Sequence, residues 1–258
     1  MQLSLILINY QSKDYLEKCL TSIEKYLKKN NNFEIILVNN DKESIEDLKG
    51  RYQLPIEIIN PKKNIGFGAA NNLASKKASG KFLLFINPDT ELIDSSLLKL
   101  VQLLEKFPEI GIVGPKIIET EKSLPQPWTC GKKTSLFNIL FRNSINKPWN
   151  KNKSVEVDWV SGTALAVSKK LFKELSGFDE KFFMYFEDQD LCLRAKKAER
   201  KIIFYPFVKI YHFNGKSWKN EKDKKHHFYK SQDYFFQKHH GKFKTGLLKA
   251  LRRIFKNQ

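Results

Sequence analysis

The chain of 258 residues has little cysteine and no long hydrophobic run. Cys19, Cys130 and Cys192 are scattered and form no Cys-x-x-Cys spacing, which argues against a disulfide framework or a zinc site. No stretch reaches the roughly 20 apolar residues that a membrane-spanning helix needs. The apolar start has neither a basic segment nor a small-residue cleavage site. It therefore predicts a buried strand instead of a signal peptide, in a protein of the cytoplasm.

Acidic residues are also scarce, since 28 Asp and Glu stand against 46 Lys and Arg, a formal net charge of +18. Such a field favours polyanionic partners: nucleic acid, anionic lipid head groups or a substrate that carries a diphosphate. A solvated, lysine-rich surface would give the same excess. Charge alone does not choose between these alternatives.

Short apolar runs alternate with amphipathic stretches through the first half of the chain. This alternation predicts an α/β fold with a mostly parallel sheet covered by helices on both faces. The predicted strands are Leu3–Asn9, Phe33–Asn40, 55–60 and 81–89, and the predicted helices lie at 16–27, from about 44, up to about 79, and at 95–106.

Polar residues follow three of these strands, at Asn39–Asp41, Asn64–Gly68 and Asn87–Asp89. Ligands bind beyond the carboxyl ends of strands in such sheets, so the three groups should meet at one edge. The pattern is lost between Glu119 and Val157, as in a lid or acceptor loop. A short helix at Lys169–Leu175 and two further strands, KIIFYP and VKIYHF, follow this segment.

Carboxylates are the main candidates for chemistry. Asp89 ends a buried strand and would suit a metal that bridges a diphosphate, although an Asx turn or helix cap is an alternative. Glu187, Asp188 and Asp190 crowd the start of one helix. They could complement the helix dipole, or one of them, desolvated by the preceding FFMYF, could serve as a general base.

His212 closes a predicted strand, where it is either structural or a metal ligand that needs a nearby carboxylate. Gly66 and Gly68 follow a strand and open a helix, but two glycines are weak evidence for dinucleotide binding. They still permit close approach of a ligand, and Asn64 and Asn71 could hydrogen-bond a sugar or a base.

Seven motifs occur together and in order, and with them the sequence resembles the inverting family-2 glycosyltransferases, specifically the bacterial rhamnosyltransferase-like group. The motifs are Asn9-Tyr10, VNN at 38–40, NIGFGAAN at 64–71, INPDTEL at 86–92, WVSGTALAV at 159–167, GFDEKFFMYFEDQDLCLR at 177–194 and YHFNGKS at 211–217. The resemblance implies a GT-A (Rossmann-like) domain at 1–218, followed by a helical C-terminal extension at 219–258.

The resemblance also implies roles for individual residues. Asp89 and His212 would hold Mg²⁺ or Mn²⁺, with Asn87 standing where related enzymes carry the first aspartate of a DxD motif. Asp188 would deprotonate the acceptor, and Glu187 and Asp190 would support it. The remaining expected site residues are Asn9, Tyr10 and Asn39 at the base, Asn64, Gly66, Phe67 and Asn71 around the donor, and Trp159, Ser161 and Gly162 near the donor sugar or acceptor.

The implied substrates are a nucleotide-sugar, dTDP-L-rhamnose first and UDP-sugars second, and a hydroxyl of a glycan or polyprenyl-diphosphate-linked acceptor. The context would be bacterial surface polysaccharide synthesis, with no nucleic acid partner. Three alternatives stay open: a basic nucleic-acid-binding protein, a sugar nucleotidyltransferase and an inactive glycosyltransferase-like binding protein. A sugar nucleotidyltransferase usually has a glycine-rich loop after the first strand. This chain has NYQSKDYLEK there, which contains no glycine.

The basic C-terminus predicts an amphipathic helix. Its apolar face comprises Leu247, Leu248, Leu251, Ile254 and Phe255. Such a helix either lies on an anionic membrane, at the inner face of the cell membrane, or packs on the catalytic domain. The pairs His226/His227 and His239/His240 are expected on a helix surface.

Overall fold

The computed structural model describes residues 2–30, 32–119, 124–140, 152–213 and 220–255. Gly215, Ser217, Trp218 and the boundary at 218/219 lie outside these ranges. The strands are β1 Leu3–Asn9, β2 Phe33–Asn39, β3 Ile56–Ile59, β4 Phe82–Ile86, β5 Thr90–Leu92, β6 Ile110–Glu119, β7 Cys130–Gly131, β8 Val155–Val157, β9 Trp159–Val160, β10 Ala164–Ser168 and β11 Lys201–His212. The helices are α1 Lys13–Leu27, α2 Leu48–Arg51, α3 Phe67–Lys77, α4 Leu98–Lys106, α5 Leu136–Leu140, α6 Lys169–Glu174, α7 Glu187–Lys197 and α8 Glu221–Phe255, with a 3₁₀ turn at Ser95–Leu97.

One large sheet organises the molecule, with strand order β3-β2-β1-β4-β10-β6-β11-β5 and with β8 beside β11. Strands β1, β2, β3, β4, β6 and β11 run in one direction, whereas β5, β8 and β10 run in the other. The predicted mixed, mostly parallel sheet is confirmed. The antiparallel β10 in its centre was not distinguishable from its neighbours because a strand buried on both faces is apolar in either direction.

Helices cover both faces of this sheet, as predicted. On one face, α1 and α4 pack their apolar sides, represented by Leu20 and Leu100, against side chains such as Leu5. On the other face, α3, α6 and α7 pack around Ile6 and Phe85. The alternation of side chains along each strand sends consecutive residues to opposite cores.

Two elements differ from the expected boundaries. The helix expected from about Ser44 is only the single turn Leu48–Arg51, because that stretch carries few apolar residues to bury. KIIFYP and VKIYHF form one strand, β11, whose pairing with β6 shifts register between Tyr205 and Lys209. Pro206 lies in that shift, where its missing N–H would otherwise interrupt a regular ladder.

The C-terminal helix α8 folds into a hairpin because Gly241 adopts φ 82° and ψ 168°, outside the helical region. Its two arms, 221–240 and 242–255, pack on the loop before α7 through Phe182, Phe186, Phe235, Phe236 and Leu248. Of the expected apolar face, Leu248 is buried and Leu247 is exposed, so the predicted stripe divides between core and solvent. Within the described residues, no helix combines the length and apolar character that crossing a membrane requires.

Candidate active site

A cavity of about 790 Å³ lies where β1 and β4 end and α7 begins. Its walls come from strand-end residues, from the start of α7 and from both arms of the α8 hairpin. Eleven of the fifteen site residues predicted from the sequence line this cavity: Tyr10, Asn64, Gly66, Phe67, Asp89, Trp159, Ser161, Gly162, Glu187, Asp188 and His212.

Asp89 and His212 meet because β5 pairs with β11. His212, the last residue of β11, is the register partner of Thr90, which directly follows Asp89. His212 Nε2 lies 3.2 Å from Asp89 Oδ1, and both side chains are buried. On the other side of the ring, His212 Nδ1 donates to Gln126 Oε1 at 2.7 Å. This hydrogen bond orients the ring with Nε2 towards Asp89.

This pair fits a divalent cation. A carboxylate oxygen and an imidazole nitrogen are both suitable ligands for Mn²⁺, and the carboxylate suits Mg²⁺. Among the described residues, no cluster of three or more His, Cys, Asp or Glu side chains forms a complete metal centre. Asp89 and His212 would therefore supply two ligands, and phosphate oxygens of a bound substrate would have to supply others.

Asp188 is held by the backbone at the start of α7. Its Oδ2 accepts from the Gly162 N–H at 2.8 Å, and its Oδ1 accepts from the Gln189 N–H at 2.7 Å. Burial raises the pKa of the Asp188 carboxyl despite these two hydrogen bonds. Tyr185 and Phe186 both adopt left-handed backbone, with φ 68°, in the turn that delivers the carboxyl to the cavity.

The carboxyl of Glu187, the residue next to Asp188, is also buried. Burial and then the negative charge of Asp188 raise the pKa of Glu187 well above its ordinary value. Its Oε2 is buried without a hydrogen-bond partner among the described residues, which also favours the neutral acid. Both neighbouring carboxyls therefore have raised pKa values, and Asp188 is the one that backbone N–H groups hold in place.

Asp190 does not line the cavity. Its buried carboxylate binds Arg194 at 2.7 Å on one oxygen and both His239 and Lys238 of α8, at 2.7 and 2.6 Å, on the other. Burial would raise its pKa, but the hydrogen bond from His239 and the charges of Arg194 and Lys238 outweigh it, giving a pKa of about 2. Asp190 thus joins α7 to the hairpin.

The turn before α3 brings the backbone close to the cavity. Gly66 has φ 86°, and a Cβ there would lie 2.6 Å from the carbonyl oxygen of Phe183, so glycine is required. Asn64 Oδ1 accepts from the Gly66 N–H at 2.9 Å and shapes the turn. Asn71 is buried in α3, donates back to the Phe67 carbonyl and does not line the cavity.

A second, polar cavity of about 800 Å³ lies at the ends of β1, β2 and β3 and includes Tyr10, Asn39, Asn40 and Asp41. Asn39 is committed within the protein: its Oδ1 accepts from Asn9 Nδ2 at 2.8 Å, and its Nδ2 donates to the Glu43 carbonyl at 2.8 Å. Asn9 is buried and lines neither cavity. The asparagine pair therefore ties neighbouring strand ends together.

Comparison with known proteins assigns this arrangement. The model of glycosyl transferase family 2 matches residues 4–174, about two thirds of the chain. The chain belongs to this family. It is a glycosyltransferase, and the nucleic-acid-binding and nucleotidyltransferase alternatives lose their support. The family match ends before α7, so Asp188, His212 and the hairpin lie beyond it.

Curated relatives include rhamnosyltransferases. The chain is 26% identical over 222 residues to rhamnosyltransferase WbbL of Escherichia coli K12, covering 81% of this chain and 82% of WbbL. It is 24% identical over 242 residues to N-acetylglucosaminyl-diphospho-decaprenol L-rhamnosyltransferase of Mycobacterium tuberculosis, covering 83% and 77%. It is 28% identical over 203 residues to O-antigen biosynthesis protein RfbC of Myxococcus xanthus, covering 72% of this chain but only 15% of RfbC.

Solved structures confirm the GT-A fold. The mannosyltransferase PcManGT from Pyrobaculum calidifontis, in complex with GDP-Man and Mn²⁺, superposes with a TM-score of 0.63 at 16% identity, over 92% of this chain and 62% of that chain. S. aureus TarS 1-349 in complex with UDP-GlcNAc gives 0.62 at 20% identity, over 91% and 65%. This family-2 chain thus spans less than two thirds of either structure.

Several cavity residues of this family-2 glycosyltransferase were missed by sequence reasoning. They are Gln126, Trp128 and Thr134 before α5, and Phe228, Tyr229, Leu251 and Arg252 of the hairpin. The irregular segment after Glu119 did indicate a lid or acceptor loop, but its individual residues carried no pattern. Leu251 and Arg252 gave no signal because their contact with the cavity depends on the reversal at Gly241, and Phe228 and Tyr229 gave none because theirs depends on how the first arm packs.

The histidine pairs correct one expectation. His226 is exposed as predicted, but His227 stacks on Phe183 with ring centroids 4.6 Å apart. The side chain of His239 is only 4% exposed because it binds Asp190. His240 Nε2 hydrogen-bonds the Thr134 carbonyl at 3.1 Å. Three of the four rings therefore pack against the catalytic domain, which the helical spacing alone did not reveal.

Proposed function

We propose that this protein transfers a sugar, with inversion, from a nucleotide-diphosphate sugar to a hydroxyl group, with Asp188 as the general base. The observation that carries the proposal is a single cavity that holds both the Asp89–His212 pair and the Asp188 carboxyl. The first is suited to a diphosphate, and the second is a carboxyl whose pKa burial has raised.

In the proposed reaction, Asp188 accepts the proton of the acceptor hydroxyl. The acceptor oxygen forms a bond to the anomeric carbon while the bond from that carbon to the donor diphosphate breaks, and the proton later passes from Asp188 to solvent. The Gly162 and Gln189 N–H groups hold the carboxylate in place. Glu187, whose pKa is raised by burial and by the charge of Asp188, lies beside the base, and no enzyme nucleophile is required.

Asp89 and His212 would hold Mg²⁺ or Mn²⁺ at the donor diphosphate. The cation would offset the negative charge that develops on the leaving nucleoside diphosphate. The superposed mannosyltransferase structure contains Mn²⁺, which supports a divalent ion here. Gln126 would keep the His212 ring oriented for this purpose.

The relatives suggest the substrates. Two of them are rhamnosyltransferases, and one name specifies a diphospho-decaprenol substrate. We therefore propose dTDP-L-rhamnose as the first donor to test and UDP-sugars as the second. The acceptor would be a glycan or a polyprenyl-diphosphate-linked sugar, in surface polysaccharide synthesis at the cytoplasmic face of the cell membrane. Residues 1–218 would form the catalytic domain, and 219–258 an extension that completes the acceptor side.

The test is a thermal-shift panel of nucleoside diphosphates and nucleotide-sugars with Mn²⁺, Mg²⁺ or EDTA. A ligand that binds only the native protein raises its melting temperature, so one nucleotide class should stabilise the protein in a metal-dependent manner. Asp89→Ala should lose this shift. Glu91→Ala, which removes a partly buried carboxylate from β5, the short strand directly after Asp89, should keep it. No shift with any nucleotide under any metal condition would refute the donor site.

A further inference from the structure

The second arm of the α8 hairpin gives the catalytic cavity an apolar wall. Leu248 and Leu251 of this arm line the cavity together with Phe228 of the first arm. Ile139 of α5 and Phe186 before α7 extend the same apolar surface. A sugar offers hydroxyl groups on most sides and gains little from such a wall. The apolar wall suits a ligand that has a hydrocarbon part.

This apolar wall continues outward along the helix. Phe243, Leu247 and Leu251 are spaced four residues apart, so they form one stripe that advances about 12 Å along the axis. Phe243 is 85% exposed and Leu247 is 42% exposed, whereas Leu251 lines the cavity. One continuous apolar stripe, Phe243–Leu247–Leu251, therefore leads from solvent to the active site.

Cations border the stripe along its whole length. Lys242, Lys244, Lys249 and Arg253 are all exposed. No acidic residue follows Asp233 in the sequence. Exposed aromatic and aliphatic side chains between lysines are the features of a helix that lies in the surface of an anionic bilayer. The charge pattern thus selects a lipid surface over a neutral or basic protein partner.

The hairpin is fixed relative to the catalytic helix. Asp190 of α7 binds His239 and Lys238 of the first arm. Arg252 of the second arm binds Asp233 of the first arm at 2.8 Å. The stripe is therefore held at a set position with respect to Asp188, two residues before Asp190.

We infer that the stripe Phe243–Leu247–Leu251 guides the hydrocarbon chain of a membrane lipid-linked acceptor into the catalytic cavity. The helical arm 242–255 lies on the anionic membrane, Phe243 enters the bilayer, and Leu251 contacts the chain next to its anionic head group. This inference rests on the proposed sugar transfer and assigns the acceptor its class: a lipid-linked diphosphate instead of a free glycan.

The membrane part is tested with vesicles of phosphatidylcholine and phosphatidylglycerol and, as a comparison, phosphatidylcholine alone. The wild type should co-sediment with the anionic vesicles, and binding should weaken as salt rises. Phe243→Ser should weaken it by about tenfold. Phe207→Ser, which removes an exposed phenylalanine from β11, should leave it unchanged. Equal loss in both variants, or no binding to anionic vesicles, would overturn the inference.

Binding of the hydrocarbon chain by the stripe is tested by calorimetry with farnesyl diphosphate and isopentenyl diphosphate, which share a head group and differ in chain length. The wild type should bind the longer chain at least about tenfold more tightly. Leu251→Gln should remove most of that difference, whereas Leu103→Gln, at a half-buried leucine of α4, should not. Equal affinity for the two probes, or an unchanged preference for the longer chain in Leu251→Gln, would refute the proposed role of the stripe.

The rise in melting temperature caused by the nucleotide distinguishes this inference from the proposed function. Leu251→Gln should keep the metal-dependent shift with the nucleotide, because Leu251 is placed on the lipid side. If that shift is absent in every variant while the preference for the longer chain persists, the proposed sugar transfer is refuted and the role of the stripe is supported. If the shift is present but chain length has no effect on affinity, only the role of the stripe is refuted.

Discussion

The donor side and the hairpin side of the cavity are built by different means. On the proposed donor side, Asp89 and His212 are placed by backbone pairing, because Thr90, which follows Asp89, pairs with His212 across β5 and β11. On the hairpin side, α8 is located by side-chain contacts to Asp190 and Asp179. The sheet fixes one wall through its hydrogen-bond ladder, whereas an apolar cluster and a few ion pairs fix the other.

This difference predicts how each side responds to substitution. A backbone ladder does not change when one side chain is replaced, so substitutions on the donor side should affect ligand binding while the fold persists. A buried ion pair that loses one partner leaves the other charge unpaired, so substitutions at the hairpin contact should affect stability. Three variants test this contrast.

The largest effect is expected from Asp188→Asn. The amide cannot accept the acceptor proton, so kcat should fall about 10³-fold while the donor-induced thermal shift is kept. Steady-state kinetics with the donor identified by the panel would measure it. Glu187→Gln is the matched control, because it removes the adjacent buried carboxyl and leaves the Asp188 carboxyl in place. It should retain activity within about threefold. Equal losses in the two variants would contradict the assignment of the base.

The next effect is on stability, from Asp190→Asn. Its pKa of about 2 lies below the ordinary 3.8, so the ionised carboxylate stabilises the folded state. We expect a loss of about 2–3 kcal/mol near neutral pH, measured by urea unfolding. Because the folded pKa is depressed, this contribution is present above about pH 4 and disappears as the pH falls towards 2. The wild type and the variant should therefore converge in acid.

Asp158→Asn is the control for Asp190→Asn. Asp158 also binds a lysine of α7, Lys196, but both side chains are partly exposed. A pair screened by solvent contributes little, so the loss should stay below about 1 kcal/mol. If both variants lost the same stability, the hairpin contact would not be the special anchor that the structure indicates.

The smallest effect is expected from Gln126→Ala. Without the Oε1 acceptor, the His212 ring is no longer held with Nε2 towards Asp89. The Mn²⁺ concentration needed for half of the donor-induced thermal shift should rise about tenfold. Gln232→Ala is the control, since Gln232 is equally buried and lines the same cavity but hydrogen-bonds Arg252. A tenfold rise in the control alone would reverse the assignment.

Much of the fold could be predicted because local patterns are strong in the sheet. The runs at Leu3–Asn9 and Phe33–Asn39 are mostly apolar, and the helix between them repeats Leu16, Leu20, Ile23 and Leu27 at helical spacing. The direction of β10 was not predictable, since a strand buried on both faces is apolar whether it runs parallel or antiparallel to its neighbours. The short β5 has only three residues and no periodicity to detect.

The site shows the same division. Sequence patterns were sufficient to predict the strand ends, the acidic start of α7 and the resemblance to a glycosyltransferase family, because these depend on residues adjacent in the chain. The packing of whole elements was needed to show that His212 faces Asp89, that Gln126 orients the His212 ring, that Asp190 turns away from the cavity and that Leu251 lines it. Each of these contacts joins residues more than 45 positions apart or on opposite faces of one helix, and packing of whole elements, not local preference, sets such distances.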